Sequence, residues 1–420
     1  SLLKTIPEYA AMVSSLQGGE SVAVTGIGQI NRSHMIAGLC RSISRPMVVL
    51  CQDDLAARRL QEELKGFLSD TAPILPGRDL TLYDAAVVSR SWEQKRLRQL
   101  YDLAVGKTGL QIMTWESLSL RTMPKAALLS AAFSLEVGRE YAVEDLISRL
   151  TAAGYNRCGM VEGPGQFAVR GGILDIFSPA EDRPVRAEFF GDELDTMGFF
   201  DPATQRRSEN ITSVTVLPVA ESQPGLHPGG VEGLCKDISS LISRQKRRKN
   251  INEPLIATLE KDLNKYESGL HNPASDRYMA LIYPEMATAA DYIPDGAVVA
   301  VCDHGNLQRA ARSRCDEMGM QLDSMLGAGL VAGELCDYVS QWEDFCKTLR
   351  KKTVVYFDAF GGTSYPEDCP PKQLYPLTAK QLPGYGGNLD TAVSDLSHYQ
   401  KMEFGSLVLC GTRRRAELLQ

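Results

Sequence analysis

The sequence lacks several features that would each have fixed a function class. No apolar run in its 420 residues approaches the roughly 18 to 20 residues of a membrane span. The opening stretch SLLKTIPEYAAMV has no signal-peptide layout, so a cytoplasmic location is expected. Ten cysteines are scattered without a C-x-x-C pair. That removes a zinc framework or a disulfide scaffold and leaves the cysteines as small buried hydrophobes in a reducing compartment. The five histidines are dispersed and form no metal-ligand pattern. Positive charge is also short: 45 Lys and Arg stand against 52 Asp and Glu, a net charge of −7. Generic nucleic-acid affinity is therefore not expected, although a local basic groove is compatible with this balance.

What remains is an ordinary globular composition, 44% hydrophobic and 23% charged, over a length that suits two to four domains. Between Ser21 and Pro124 short apolar runs alternate with amphipathic helices. Strands are expected at Ser21–Val24, Pro46–Cys51, Pro73–Leu75 and Gln111–Thr114, and helices at Ser33–Ser42, Asp53–Phe67 and Ser91–Ala104. That alternation implies a parallel sheet with helices on both faces. A helix over Glu136–Thr151 leads into a β-rich stretch, Phe167–Leu217, and the Gly/Pro-rich Pro218–Gly233 reads as an exit linker. After a long charged helical region, Val231–Gly269, the alternation resumes at Ala297–Cys302, Leu307–Met318 and Thr353–Asp358. The expected organisation is an α/β domain in two parts, 1–130 and 219–400, with an α+β, mainly antiparallel module inserted at 131–218. Two separate α/β domains are the alternative that composition allows. Residues 401–420, with a strand at Leu407–Cys410 and a helix at Arg413–Leu419, read as the start of a further, truncated α/β domain. A lone strand–helix unit cannot bury its apolar face, so the chain is expected to be a fragment.

The richest segment is Phe167–Arg206. Phe167, Val169 and Ile173 alternate with Ala168, Arg170 and Leu174, so one face packs inward while Arg170 leaves by the other, with a bulge expected at Gly171-Gly172. Val185, Ala187 and Phe189 likewise alternate with Arg186, Glu188 and Phe190, before turn chemistry at Gly191-Asp192. An arginine, a glutamate and an aromatic on one strand face make a protein-docking surface, since arginine and aromatic anchors dominate interface energetics. The plainer alternative is an exposed Arg186–Glu188 pair of little weight. Asp175, Asp192, Glu193 and Asp195 are assigned turn and capping roles rather than a metal site. The run Arg244–Lys249 reads as a solvated helix face, having no interleaved aromatics for a DNA contact. Trp92, Trp115 and Trp342 read as packing residues.

Between the first strand and the first helix, Val22–Ile30 sits where a phosphate-binding loop would sit. The pattern G-x-x-x-x-G-K-[ST] needs a lysine for the β/γ phosphates and a hydroxyl for magnesium. Here Ala23 replaces the first glycine, Gly28 keeps the second, and Gln29 and Ile30 take the lysine and hydroxyl positions. Ala297–His304 likewise resembles a Walker B strand with Asp303 at the magnesium position and His304 in place of the catalytic glutamate. A degenerate P-loop fold acting as a scaffold explains both losses, with Gly26, Gly28, Gln29 and Asp303 as its relic site. Nucleotide binding by a non-standard loop in an ATPase or helicase-like repair protein is the rival reading.

RGGILDIF, FFGDELD and FDPATQR, in this order and spacing, resemble the second domain shared by UvrB and the transcription-repair coupling factor family. LPGRDLTLYDAAVVSRSWEQKRLRQLYDL, DYIPDGAVVAVCD and LPGYGGNLDTAVSDL extend the resemblance. The lost P-loop, together with the absence of UvrB's Tyr-rich hairpin, favours the amino-terminal region of the coupling factors. The resemblance implies a UvrB-like, non-catalytic module that docks UvrA through Arg157, Arg170, Arg186 and Glu188, to which Phe190 is added here as an anchor. A further family arginine is Ala168 in this chain, which implies a differently balanced contact. It also implies no cofactor in this portion. ATP and magnesium, RNA polymerase and double-stranded DNA would engage motor and polymerase-contacting parts lying beyond it, and the docking face would be masked until polymerase is engaged.

Overall fold

The computed structural model describes residues 2–84, 91–359, 364–377, 379, 388–406, 408 and 412–418. The strands are β1 (Val22–Thr25), β2 (Met47–Cys51), β3 (Leu110–Thr114), β4 (Phe133–Glu136), β5 (Asn156–Arg157), β6 (Gln166–Arg170) and β7 (Ile173–Ile176). They continue with β8 (Val185–Phe190), β9 (Glu193–Phe200), β10 (Arg207–Asn210), β11 (Ser213–Val216), β12 (Val298–Cys302), β13 (Thr353–Asp358) and β14 (Gln373–Pro376). One sheet of six parallel strands runs in the order β14-β1-β13-β12-β2-β3, so segments from both ends of the chain share it. Its central strands are apolar throughout because both faces are covered. In β12, Val299 and Val301 enter one core and Val298 and Ala300 the other, as a side-chain period of two requires. Pro73–Leu75 makes only a bridge, Ile74 to Ile112; prolines at 73 and 76 cannot donate to a ladder.

A second sheet, in the order β10-β9-β8-β7-β6-β5, is antiparallel except where β5 meets β6. The helix Val143–Ala152 buries Leu146 and Leu150 in a core with Phe167, Leu174, Val185, Ala187 and Met197, and β4 and β11 close it as a two-stranded pair. The fold is thus mixed α/β, with parallel and antiparallel sheets.

Several local expectations are corrected. The helix expected from Glu136 starts only at Val143, because Phe133–Glu136 pairs with β11 and Gly138, at φ +82°, turns the chain. Gly171-Gly172 is a two-residue hairpin turn rather than a bulge, with Gly171 at φ +58°; the bulge lies at Glu188/Phe189. Val231–Gly269 is two packed helices, Gly230–Lys246 and Glu253–Glu267, broken before an Asn252 cap and Pro254. The helix expected over Leu307–Met318 runs from His304 to Gly327. Trp115 and Trp342 pack with ring centroids 5.7 Å apart, but Trp92 is exposed under the Lys95 ammonium. Residues 85–90 and most of the LPGYGGNLD segment lie outside the described residues, as does the expected strand Leu407–Cys410 apart from Val408.

The first part of the expected exit linker is buried. Glu221, fully buried, accepts from Arg96 Nε at 2.8 Å and from the Thr122 hydroxyl, with Arg78 Nε 3.7 Å away, while its own N–H donates to Glu93 at 2.7 Å. This ionic knot ties the end of the antiparallel module to the helix Ser91–Ala104.

Candidate functional site

The outer face of the second sheet is built by register. Leu174 and Ala187 are core residues, so their neighbours Asp175, Arg186 and Glu188 emerge on the opposite side, Asp175 directly beside Arg186. Asp175 is the centre of the arrangement, with its side chain 1% exposed. It accepts from Arg170 Nη2 at 2.6 Å and from Arg186 Nε and Nη2 at 2.7 and 2.9 Å. Arg186 also donates to the carbonyl and side-chain oxygens of Gln205, at 3.2 and 3.0 Å, and lies over the Phe200 ring at 4.6 Å. The bond to Asp175 is the largest influence on the Arg186 guanidinium and pushes it further toward the charged form. Alongside, Arg207 Nη1 donates to Glu188 at 3.0 Å and to the Thr196 hydroxyl at 3.1 Å. Gly198 makes room for this arginine, since a Cβ there would lie 2.6 Å from Arg207 Nε.

Arg170, Arg186 and Glu188 are thus brought together, but Arg186 and Glu188 are not each other's partners. Phe190 stands at the tip of the β8–β9 hairpin beside Gly191 (φ +62°), its ring 85% exposed. Arg157 is not in the row. It pairs in register with the core residue Phe167 and is exposed on the edge strand β5, on the other side of the pleat. Asp175 is corrected from a turn residue to the buried hub. Its signal was its place in the run Ile173–Ile176, where it alternates with the inward Leu174 and Ile176. Arg207, the partner of Glu188, had no signal in the sequence.

The loop after β1 is shaped by close packing. Gly26 has φ +82°, and a Cβ there would meet the Leu377 carbonyl oxygen at 2.2 Å; Leu377 N donates to Thr25 O at 2.9 Å. Gly28 precedes the helix Gln29–Ser42 and provides no side-chain cap. Asp303, in the left-handed region at φ 53°, ends β12 and is ion-paired with Arg32 Nη1 at 2.8 Å. A cavity of about 190 Å³ lies here, lined by Gln29, Arg32, Asp53 and Asp303 among others. His304 is buried, with Nδ1 3.0 Å from Asp358 and Nε2 3.1 Å from the Ser364 carbonyl, stacked on Tyr365. Burial pulls its imidazolium down, but Asp358 and the Ser364 carbonyl outweigh this and the net shift is upward. The donor set does not fit a magnesium–nucleotide complex: Gln29 carries no charge, Arg32 neutralises Asp303, and His304 is held by Asp358 and Ser364.

In the basic run, Lys246 pairs with Glu260 and Arg248 with Glu334, both at 2.7 Å. Among the described residues no group of three or more His, Cys, Asp or Glu could hold a metal ion, and no helix is long and apolar enough to cross a membrane.

The family model of the UvrB interaction domain matches residues 133–221. The match covers β4 to β11 and ends at the buried Glu221. Across its length the chain is similar to transcription-repair-coupling factors. It is 22% identical over 425 residues to that of Bacillus subtilis (strain 168), covering 100% of this chain and 36% of the relative. It is 26% identical to that of Myxococcus xanthus, covering 98% and 35%, and 24% identical to that of Staphylococcus aureus (strain MRSA252), covering 96% and 34%. Residues 133–221 thus match the UvrB interaction domain, and the chain as a whole is similar to about a third of the transcription-repair-coupling factors. It spans about a third of the length of these curated relatives, 34 to 36%.

Proposed function

We propose that this chain is a non-catalytic, cytoplasmic recruitment module that docks UvrA through the domain at 131–218, to start nucleotide excision repair where RNA polymerase has stalled. The observation that carries the reading is the pair Arg170 and Arg186, held on one buried carboxylate beside Glu188 and Arg207, with the bare ring of Phe190 at the hairpin tip. Arginines already fixed by a carboxylate and an aromatic ring lose little freedom on binding, which is how preorganisation adds affinity. Asp175 engages Arg170 through Nη2 alone, whereas Asp175 and Gln205 together engage Nε, Nη1 and Nη2 of Arg186, so Arg170 is the more available of the two, and charge-assisted interface bonds contribute on the order of 1.5 to 3 kcal/mol each.

The α/β portion, 1–130 and 219–400, is read as a scaffold that has lost nucleotide chemistry, with Gly26, Gly28, Gln29 and Asp303 as its relic site. Polymerase displacement, ATP and magnesium use, and duplex DNA contacts would reside in portions of the parent protein outside this chain. The test is a titration against UvrA at fixed salt with Arg170→Ala and Arg186→Ala alongside. A loss of about 2 kcal/mol or more in each variant is expected, the size of an interface hot spot. Absence of binding by the unaltered chain overturns the reading, and saturable Mg-ATP binding favours the ATPase alternative instead.

A further inference from the structure

Neither the docking face nor the scaffold reading uses two thiols that line the cavity beside the β1 loop. Cys51 is the last residue of β2 and Cys302 the last of β12. These strands pair in parallel with Leu50 opposite Val301, so the next step of the ladder sets Cys51 against Cys302 on one face. Neighbouring strands lie about 4.8 Å apart, within the roughly 4.4 to 6.8 Å Cα separation that a disulfide accepts. Both thiols border the cavity of about 190 Å³. Arg32, held by Asp303, presents its guanidinium to Cys302.

We propose that Cys51 and Cys302 form a dithiol site that small hydroperoxides entering this cavity oxidise to a disulfide. Cys302 is the attacking group. The neighbouring Cys51 thiol and the charge of Arg32 draw it toward the thiolate against the effect of burial, while the neighbouring Cys302 sulfur and burial push the Cys51 thiol well up. The Cys302 sulfur attacks the O–O bond of the hydroperoxide. An S–O bond forms, the O–O bond breaks, and the leaving alkoxide takes a proton to depart as an alcohol. The Cys51 sulfur then attacks the sulfenic sulfur; the S–S bond forms, and hydroxide leaves with the Cys51 proton as water. Two thiols are oxidised by two electrons and one hydroperoxide is reduced to alcohol and water. Thiol reductants reverse the change by exchange.

The test treats the whole chain with a small excess of hydrogen peroxide, blocks remaining thiols in denaturant, and maps non-reduced peptides by mass spectrometry. The expected result is a peptide pair joining Cys51 to Cys302 that disappears with dithiothreitol. Pretreatment with phenylarsine oxide, which needs two neighbouring thiols, should suppress its formation. In Cys302→Ser, Cys51 should oxidise at least tenfold more slowly while circular dichroism remains that of the unaltered chain. The proposal is overturned if the unaltered chain keeps Cys51 and Cys302 as free thiols while Cys40, Cys158 or the Cys346–Cys369 pair takes up the oxidant.

Discussion

Replacing Asp175 by Asn removes one charge while preserving shape, and it tests whether the carboxylate organises the docking face. Asp175 receives three hydrogen bonds from two guanidinium groups, at 2.6, 2.7 and 2.9 Å. Bonds to charged partners stabilise by about 1.5 to 3 kcal/mol each. The Arg170 side chain is 43% exposed, so water replaces most of its bond, whereas that of Arg186 is only 15% exposed and its two bonds count nearly in full. The amide keeps one acceptor oxygen, so the net cost for Asn is about 2 kcal/mol, against about 3 to 5 for Ala, which leaves the arginines without a partner. Stability of the antiparallel module can be read separately from the α/β portion. Cys158 belongs to the small outer-face cluster with Ala168, Phe177 and Phe200, and mass-resolved labelling of its thiol across a urea series reports local opening. Below that transition, UvrA affinity should fall at least tenfold, about 1.4 kcal/mol, because Arg170 and Arg186 lose their common anchor. If Asp175→Asn keeps both the unaltered urea midpoint at Cys158 and the unaltered affinity, the carboxylate does not hold the arginines and the preorganisation argument fails.

Glu221→Ala should destabilise the chain by about 3 to 5 kcal/mol, because Arg96 and Arg78 are left buried without their shared carboxylate; a urea midpoint shift below about 1 kcal/mol equivalent would show that the knot is not structural. Gly26→Ala should cost about 2 kcal/mol or more, from φ +82° and the approach to the Leu377 carbonyl, and an unaltered melting temperature would contradict that packing. His304 gives a pH dependence of definite sign. Its folded value is raised above the ordinary 6.5, so its contribution is complete below 6.5 and is lost as pH rises through the folded value. In unfolding titrations across that window, His304→Gln should flatten the decline, and an identical pH profile would remove the Asp358 pairing as its cause. Phe190→Ala should weaken UvrA binding by about 2 kcal/mol or more without moving the urea midpoint, because an exposed ring contributes little to folding; a shift in stability instead would place the ring in the fold.

Local periodicity could be read along the chain, and pairing could not. The runs at Met47–Cys51, Val298–Cys302 and Thr353–Asp358 fold as strands because uninterrupted apolar text satisfies a sheet covered on both faces. The alternation in Val185–Phe190 likewise correctly sent Arg186 and Glu188 to the outer face. What those residues do there depends on atoms from other strands. Asp175 joins Arg170 and Arg186 only after two antiparallel pairings set the register, and Glu188 finds Arg207 only after two more. Arg157 depends on the same information: one step of register in β5 decides which side of the pleat it occupies. The loop after β1 shows the other side of this limit. That Gln29 carries no charge is visible in the sequence alone, but the neutralisation of Asp303 requires Arg32, which arrives from a helix distant in the chain. A missing side chain can therefore be read directly from the sequence, whereas a retained side chain such as Asp303 can be judged active or inactive only from its partner in the folded structure.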